Sequence, residues 1–541
     1  MPKGALSVDT EHLFPIIKKW LYSEKDIFLR EVLSNACDAV TKHKRLVSLS
    51  EAAESETPYR ITVRADKDER TITVTDNGIG MSADEVDRYI NSIALSGALD
   101  FISKYESESD NGGGIIGHFG LGFYSMFMVA ERVEMRTKSY TDAPAVYWEC
   151  DGSGNYEMQE CDKTDRGTEI VMHVADDELS YLDAANLKRI LEKYCAFLPV
   201  EIYLCGEKDE RINDVHPLWQ KNPSEVQDEE YQEFYKKTFG DFRDPLLWVH
   251  INADYPLNFR GVLFFPAKRS GYEPVESEIK LFYNAVFVAD NIKEACPDFL
   301  VNVKGVLDCP ELPLNVSRSY LQNDLYVRKV ASHIAKKVAD RIVALSGNER
   351  ERFERIWPDI KPYIEYACMR DEKFNERVSG GVLFEKAGGG FCTLEEYLGG
   401  EKPEGTVYYA TDPQAQSYYL GLYREKGVDV LLFDALIDTN YAQFLESKHE
   451  KLKFSRIDAD FGAVGEQGDG NEALAALFRK ASGREALQVE CVRLGEAGAP
   501  ALVSVNEESR RMADVMKVYA AGSGEGFPVE ERLSLNLENP L

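Results

Sequence analysis

The sequence has no uninterrupted apolar run near the roughly 18 residues of a membrane span. Charges also interrupt the amino-terminal stretch MPKGALSVDTEHLFPIIKKW, so no secretory signal is visible. The 10 cysteines are scattered, without a Cys-x-x-Cys pair and without Cys/His groups at zinc-ligand spacing. Scattered cysteines in a chain of 541 residues indicate reduced thiols. These absences predict a cytoplasmic protein with no contact to a membrane.

Positive charge is scarce. The chain carries 63 Lys and Arg against 93 Asp and Glu, which gives a formal net charge of −30. A nucleic-acid-binding surface needs an excess of basic residues, so we expect no nucleic-acid partner. Hydrophobic residues make up 44% and charged residues 29% of the chain, which is typical of a globular protein. Its length predicts about three or four domains.

Hydrophobic periodicity divides the chain into five segments. We predict an amino-terminal domain over 1–205, a short charged linker over 206–214, a large middle domain over 215–345, a helical connector with a small middle α/β domain over 346–450, and a partial carboxy-terminal domain over 451–541. Within the first domain, residues 59–78 alternate as two strands around the turn DKDER, and a helix is expected from Ser82. In the large middle domain, Ser224 is the predicted N-cap of a helix.

The stretch REVLSNACDA (30–39) places three polar side chains on one arc of a predicted helix. Glu31, Asn35 and Asp38 lie at i, i+4 and i+7, within about 60° of one another at about 100° per residue. Apolar residues on the neighbouring arc would pack on a sheet. Taken alone, such a stripe is most often the solvated face of a surface helix.

Three further motifs follow in the sequence. Asp76 in TDNGIGM comes at the end of a strand, where its carboxylate could accept a hydrogen bond from an exocyclic amine such as that of adenine. Gly117, Gly120 and Gly122 in GIIGHFGLGF precede an apolar helical run and could aim backbone N–H groups at phosphate oxygens. Thr168 opens a strand in DRGTEIVMHV. Each motif also has a purely structural interpretation. Examples are an ordinary Asp-Asn-Gly turn and a glycine loop that binds nothing.

In this order and spacing, the motifs resemble the Bergerat nucleotide fold of gyrase-type ATPases, MutL, histidine kinases and heat-shock protein 90 chaperones. The stretches IFLREVLSNACDAV, DNGIGMSADEV, IGHFGLGFYSMFMVAERV and FLVNVKGVLDCPELPLNVSRSYLQND are similar to heat-shock protein 90 sequences, with the bacterial form most similar, collinearly along essentially the whole chain. The resemblance implies a multidomain α+β and α/β protein: an N-terminal Bergerat (GHKL) ATPase α/β sandwich, middle α/β domains and a C-terminal α+β domain.

The same resemblance implies an ATP-dependent chaperone of the stress response. It would bind ATP and Mg²⁺ and hydrolyse ATP slowly to ADP. Turnover would close a lid over about 91–120 and clamp the N-terminal and middle domains, which remodels non-native client proteins.

By resemblance, Glu31 would activate the attacking water, and Arg318 would contact the γ-phosphate with Gln322 beside it. Asn35 would reach the Mg²⁺ through its side-chain oxygen, and Asp76 would accept from the adenine amine. The implied nucleotide-binding residues are Asn35, Asp38, Asp76, Gly80, Met81, Gly117, His118, Gly120, Gly122, Phe123 and Thr168.

The chain departs from the family pattern at Tyr89, Asn91, Leu95 and His118. Leu95 stands where the family has a lysine near the phosphates, so we expect ATP binding to survive with altered affinity and lid kinetics. The sequence also stops at RLSLNLENPL, where the family continues into the helices that join two protomers. We therefore expect a homodimer for the full-length protein and a monomer for a chain that ends at Leu541.

Three alternatives compete with a chaperone, and the sequence disfavours the first two because it lacks the feature that each would need. A DNA-acting Bergerat ATPase such as gyrase B or MutL would need a basic stripe. A histidine kinase would need an upstream phospho-acceptor helix that bears a histidine. A nucleotide-gated scaffold would bind ATP without useful turnover, which the altered lid could favour.

Overall fold

Contacts between residues divide the chain into two compact units. The first contains residues 1–267, 272–298 and 302–334, and the second contains 268–271, 299–301 and 335–541. The computed structural model describes residues 24–92, 95–105, 114–117, 120–152, 155–267, 277–290, 296–311, 325–400, 403–433, 436–459, 461, 463–496, 498–505 and 530–540. Within these ranges, each unit contains two β-sheets.

The first sheet of unit one has eight strands in the order β5-β4-β3-β6-β2-β1-β7-β8. Their bounds are β1 (Arg60–Asp66), β2 (Thr71–Asp76), β3 (Ala130–Lys138), β4 (Ala145–Cys150), β5 (Tyr156–Cys161), β6 (Gly167–Val174), β7 (Glu201–Leu204) and β8 (Glu210–Arg211). The alternating sequence of 59–78 forms the predicted hairpin, in which Ile61 pairs with Asp76. Strands β1 and β7 are parallel, and the other neighbours are antiparallel.

Helices pack on this sheet to give the expected α/β sandwich. They are α1 (Ile27–Ser48), α2 (Ala83–Tyr89), α3 (Gly97–Tyr105) and α4 (Ala184–Cys195), with 3-10 turns at Gly122–Met128 and Leu179–Leu182. The predicted start at Ser82 is confirmed by a capping box, in which Ser82 and Glu85 satisfy each other's backbone N–H groups. The apolar run after the glycine loop is a 3-10 helix, with every side chain from Phe123 to Met128 buried.

The second sheet of unit one has five strands in the order β12-β11-β13-β10-β9. These are β9 (Leu247–Ala253), β10 (Phe259–Phe265), β11 (Glu278–Tyr283), β12 (Val286–Asp290) and β13 (Lys304–Asp308), preceded by α5 (Asp228–Phe239) and 3-10 turns at Leu218–Gln220 and Pro223–Glu225. The predicted N-cap Ser224 is wrong: α5 begins after Gln227. Asn222 instead caps the 3-10 turn at Pro223–Glu225, because its side chain accepts from the N–H of Ser224. Pro223 suits the first position of that turn.

The second unit contains a five-stranded sheet, β15-β14-β17-β16-β18, and a four-stranded sheet, β19-β20-β22-β21. The strands are β14 (Phe384–Lys386), β15 (Phe391–Cys392), β16 (Gly405–Ala410), β17 (Leu431–Leu432), β18 (Leu452–Arg456), β19 (Glu466–Gln467), β20 (Gln488–Arg493), β21 (Ala501–Val505) and β22 (Glu531–Asn536). The helices are α6 (Leu325–Asn348, which starts in unit one), α7 (Arg350–Arg370), α8 (Glu372–Val378), α9 (Leu394–Leu398), α10 (Ser417–Glu425), α11 (Leu436–Lys448) and α12 (Glu472–Ser482), with a 3-10 turn at Ser379–Gly381.

The structure also gives the state of the cysteines and the hydropathy of the helices. All ten cysteines are free thiols in the structure. Among the helices that the structure describes, none combines the length and the apolar character needed to cross a membrane.

The segment predicted as a linker, 206–214, is attached to the first sheet. Glu210–Arg211 forms β8 at the edge of the sheet and pairs with β7. Just after it, the buried Asn213 accepts from the N–H of Ile202 at 2.8 Å and donates to the carbonyls of Leu198 and Val200, both at 2.7 Å. One side chain therefore holds the end of this segment against the last strands of the sheet.

Asn213→Ala should destabilise the first unit by about 3 kcal/mol, because three buried backbone groups lose their partner. Urea denaturation checks this, with hydrogen exchange of the β1 and β7 amides to localise the loss. Gln159→Ala, at an exposed position of β5 in the same sheet, is the matched control and should change stability by less than about 0.5 kcal/mol. A loss for Asn213→Ala as small as that of the control would contradict the interpretation.

Candidate functional site

Helix α1 brings Glu31, Asn35 and Asp38 to the wall of one cavity of about 390 Å³. Glu31 and Asp38 are buried, with 7% and 5% of their surface exposed, whereas Asn35 is exposed. The rest of the α1 surface packs Phe28, Leu33 and similar apolar residues into the core. The polar stripe is therefore not a solvated helix face.

Glu31 is held by its sequence neighbour. The buried Arg30 donates from Nε at 2.9 Å and from Nη2 at 2.7 Å to Oε1 of Glu31. The other oxygen, Oε2, lies against the glycine loop, since a Cβ on Gly122 would come within 2.6 Å of it. Only glycine fits there without moving the carboxylate. Sequence analysis missed Arg30, because an Arg-Glu pair on a helix carries no specific signal.

Asp38 fixes the start of the glycine loop. Its Oδ1 accepts from the N–H of Ile116 and its Oδ2 from the N–H of Gly117, both at 2.7 Å. A Cβ on Gly117 would lie 3.1 Å from Oδ2 of Asp38 and 3.4 Å from Oδ1 of Asn35. The loop thus runs directly over the polar face of α1.

Asp76 lies at the end of β2, opposite Thr168 on β6. Its Oδ1 accepts from the N–H of Gly78 at 2.7 Å. Burial raises the pKa of the Asp76 carboxyl to about 7, while the N–H groups of Gly78 and Thr168 oppose that rise. A carboxyl with this pKa changes charge near neutral pH, which is common at binding sites.

A threonine on β3 joins the residues around Asp76. The Thr137 hydroxyl lies 3.0 Å from that of Thr168 and accepts from the N–H of Met81 at 2.9 Å. Gly80 has φ +64°, and a Cβ there would lie 1.8 Å from the Lys138 carbonyl oxygen, so this close approach needs glycine. Thr137 lies in a plain strand sequence, RVEMRTK, which explains why no motif identified it.

The facing wall of the cavity comes from α3 and the residues before it. Tyr89 donates from its hydroxyl to Asp100 at 2.9 Å, and Asn91 accepts from the indole N–H of Trp148 at 2.9 Å. Leu95 is 49% exposed and also lines the cavity. From α1, the ammonium of Lys42 lies 5.8 Å from the ring centroid of Phe101. Lys42, also missed from the sequence, places a cation at this cavity.

Eleven of the predicted site residues line this one cavity. They are Glu31, Asn35, Asp38, Asp76, Gly80, Met81, Gly117, Gly120, Gly122, Phe123 and Thr168. His118, Arg318 and Gln322 lie outside the described residues, as do 93–94, 106–113 and 118–119 of the predicted lid.

The donor set can be compared with what Mg²⁺ needs. Within the described ranges, no group of three or more His, Cys, Asp or Glu side chains could enclose a metal ion. Mg²⁺ in nucleotide sites usually takes one or two protein oxygens, with phosphate oxygens and water completing the shell. The exposed carboxamide of Asn35, at the cavity beside the glycine loop, fits that role.

Comparison with known families and proteins gives two matches to family sequence models. The family described as "Histidine kinase-, DNA gyrase B-, and HSP90-like ATPase" matches residues 24–178. The family described as "Hsp90 protein" matches residues 205–480. The two matches follow each other along the chain.

Individual relatives align over nearly the whole chain. A chaperone protein htpG of Bacteroides fragilis (strain YCH46) is 40% identical over 100% of this chain and 84% of its own length. The chaperone protein HtpG of Porphyromonas gingivalis (strain W83) is 41% identical over 100% of this chain and 83% of its own. That of Shewanella amazonensis is 32% identical over 98% and 90%, respectively.

The raised pKa of Asp76 predicts how binding of a ligand with an amine donor depends on pH. The carboxyl is protonated below its pKa of about 7 and ionised above it, and the ionised form is the stronger acceptor. Affinity for adenosine should therefore rise by about tenfold from about pH 6 to about pH 8 and then level off. Ligand-observed NMR titration measures this without phosphates that titrate in the same range.

Inosine is the matched control for this titration, because it presents a carbonyl oxygen in place of the amine. It should bind more weakly than adenosine and gain no affinity as the pH rises. An adenosine affinity that stays flat between about pH 6 and pH 8 would show that the Asp76 carboxylate does not receive the base.

Proposed function

The chain belongs to the heat-shock protein 90 family and is an ATP-dependent molecular chaperone. From this we propose that it hydrolyses ATP slowly, in a conformational cycle, and that the reaction takes place in the cavity beside α1. Each turnover would close a lid over about 91–120 and clamp the domains predicted at 1–205 and 215–345 on each other. The observation that carries this proposal is that three polar residues of α1 and the glycine loop above them line one cavity.

The adenine would bind at the Asp76 end of the cavity. The Asp76 carboxylate would accept from the exocyclic amine, with Thr168 beside it in register on β6. Gly80 and Met81 would line the base, and the N–H of Met81 is already fixed by the Thr137 hydroxyl. A rigid, buried acceptor of this kind selects an amine over a carbonyl at the same position of a purine.

Hydrolysis would take place at the Glu31 end. Glu31 would act as general base, with its Oε1 held in place by both hydrogen bonds from Arg30. Arg318 would contact the γ-phosphate and offset the charge that develops there, with Gln322 on the same segment. Asn35 would hold Mg²⁺ through its side-chain oxygen, and the ion would neutralise phosphate charge when bound.

The glycine loop would meet the phosphates with part of its backbone only. The N–H of Gly117 is donated to Asp38, so it serves the loop and not the nucleotide. The phosphate-facing N–H groups would then come from Gly120, Gly122 and Phe123, with His118 nearby in sequence. Lys42 would add a cation from α1, which offsets the charge of a polyphosphate next to several carboxylates.

The chaperone acts on client proteins. We propose non-native clients, a homodimer for the full-length protein and a cytoplasmic location. The net charge of −30 supports the absence of a nucleic-acid partner.

Glu31→Gln should lower steady-state ATP turnover by at least about 100-fold, because the general base is lost, while ADP affinity changes little. Arg318→Ala should likewise lower turnover more than binding. A phosphate-release assay and calorimetric titration separate the two effects. Glu157→Gln, on the exposed face of β5, is the control and should behave as wild type. If wild-type turnover is no faster than that of Glu31→Gln, the chain is a nucleotide-gated scaffold.

Gly122→Ala tests the placement of Glu31 from the loop side. The added Cβ would come within 2.6 Å of Oε2 and push the carboxylate away, which should lower turnover by about tenfold or more. ADP affinity should stay within about threefold, because alanine keeps the backbone N–H at position 122 and Asp76 is unchanged. The control is Gly421→Ala on α10, where a Cβ would meet nothing within 4 Å. Unchanged turnover in Gly122→Ala would contradict the assigned geometry.

A further inference from the structure

The turn between β11 and β12 holds two residues in an unusual backbone conformation. Asn284 has φ +49° and Ala285 has φ +62°, and Tyr283 pairs with Val286 on either side of them. Two-residue hairpin turns of this type favour asparagine followed by glycine. Alanine in the left-handed region costs about 1 kcal/mol or more, so other contacts have to hold this turn.

Asp308, at the end of the neighbouring strand β13, supplies one such contact. Its Oδ2 accepts from the N–H of Ala285 at 3.0 Å and from the indole N–H of Trp219 at 3.3 Å. Burial raises the pKa of the Asp308 carboxyl to about 6, which is still below neutral pH. The group is therefore ionised at neutral pH and is a strong acceptor. A buried charge thus fixes the strained side of the turn.

The other residue of the turn reaches the glycine loop. Asn284 donates from Nδ2 to the carbonyl oxygen of Ile115 at 3.3 Å. The next two residues of the loop, Ile116 and Gly117, donate their N–H groups to Asp38. Three consecutive loop residues therefore connect the polar face of α1 to the β11–β12 turn.

A second cavity, of about 200 Å³, lies at this junction. Its lining includes Gly114 from the loop, Asn284, Ala285 and Asp308 from the second sheet, and Pro310. Pro310 comes shortly before the sequence segment that contains Arg318. The turn is thus close both to the loop and to the chain leading into that segment.

We propose that Asn284 is a positioning residue, which transmits the state of the 115–117 loop to the second sheet, from whose strand β13 the sequence continues towards Arg318. This inference rests on the proposed ATPase function. A single hydrogen bond at 3.3 Å is weak enough to break and re-form during a cycle, and its net value of about 1 kcal/mol corresponds to about fivefold in rate. Asn284 sets turnover and not nucleotide affinity, because the base and the phosphates bind elsewhere.

Asn284→Gly removes the donor but keeps the backbone conformation, since glycine adopts positive φ without strain. It should lower kcat by about fivefold and leave the Kd for ADP within about twofold. Asn284→Asp, which offers no donor to the carbonyl when ionised, should do the same. The matched control is Ala285→Gly, which relieves the strain next door but retains the Asn284 side chain and should keep wild-type kcat.

Hydrogen exchange distinguishes coupling through Asn284 from a purely structural role of this residue. In the wild type, ADP should slow exchange both in the loop peptide 114–123 and in the hairpin peptide 278–290. In Asn284→Gly, ADP should still protect 114–123, but protection of 278–290 should be lost.

Two results would overturn the link. The first is a kcat within twofold of wild type in Asn284→Gly. The second is a lowered kcat with both peptides still protected, because the loss would then come from the hairpin's own geometry. A wild-type protein that binds no nucleotide would instead refute the proposed function, and with it this inference.

Discussion

The burial of two carboxylates on one face of α1 is the constraint on which the site depends. A buried charge is stable only with close partners, and Glu31 and Asp38 find different ones. Arg30 neutralises Glu31 from the same helix, whereas Asp38 takes the N–H groups of Ile116 and Gly117. The loop must therefore pass directly over the acids, at distances where a Cβ would collide with a carboxylate oxygen. Glycine is therefore required at position 122 and favoured at position 117, because the carboxylates of Glu31 and Asp38 lie directly below the loop.

Sequence reasoning was successful where local periodicity decides the structure. The arc of Glu31, Asn35 and Asp38 follows from helix geometry, and the hairpin of β1 and β2 follows from strict alternation. It failed where partners distant in sequence decide. The partners of Asp38 lie 78 and 79 residues away, and Thr137 has a role only because folding brings β3 next to Met81 and Thr168. The misplaced cap at Ser224 is a local error, because Asn222 ahead of a proline caps a short 3-10 turn and the helix begins only after Gln227.

Three of the four departures from the family pattern, Tyr89, Asn91 and Leu95, lie in the described part of the chain. Asn91 accepts from the indole N–H of Trp148, and Tyr89 donates to Asp100 at the start of α3. These contacts anchor the segment on either side of Leu95 through side chains that the usual lid sequence lacks. Leu95 brings no charge to the cavity, whereas Lys42 on α1 does. Lys42 is therefore one cation that lines the cavity although position 95 carries none, and His118 lies outside the described part of the chain.

The edges of the first sheet have a consequence for behaviour in a crowded solution. One edge is β8, only two residues long and formed by Glu210 and Arg211. The other is β5, whose exposed residues include Glu157 and Glu160. Short strands and charged side chains make poor templates for pairing with a foreign chain. A chaperone meets partly folded proteins that present unpaired strands of their own, and these edges discourage such proteins from extending its sheet into a mixed aggregate.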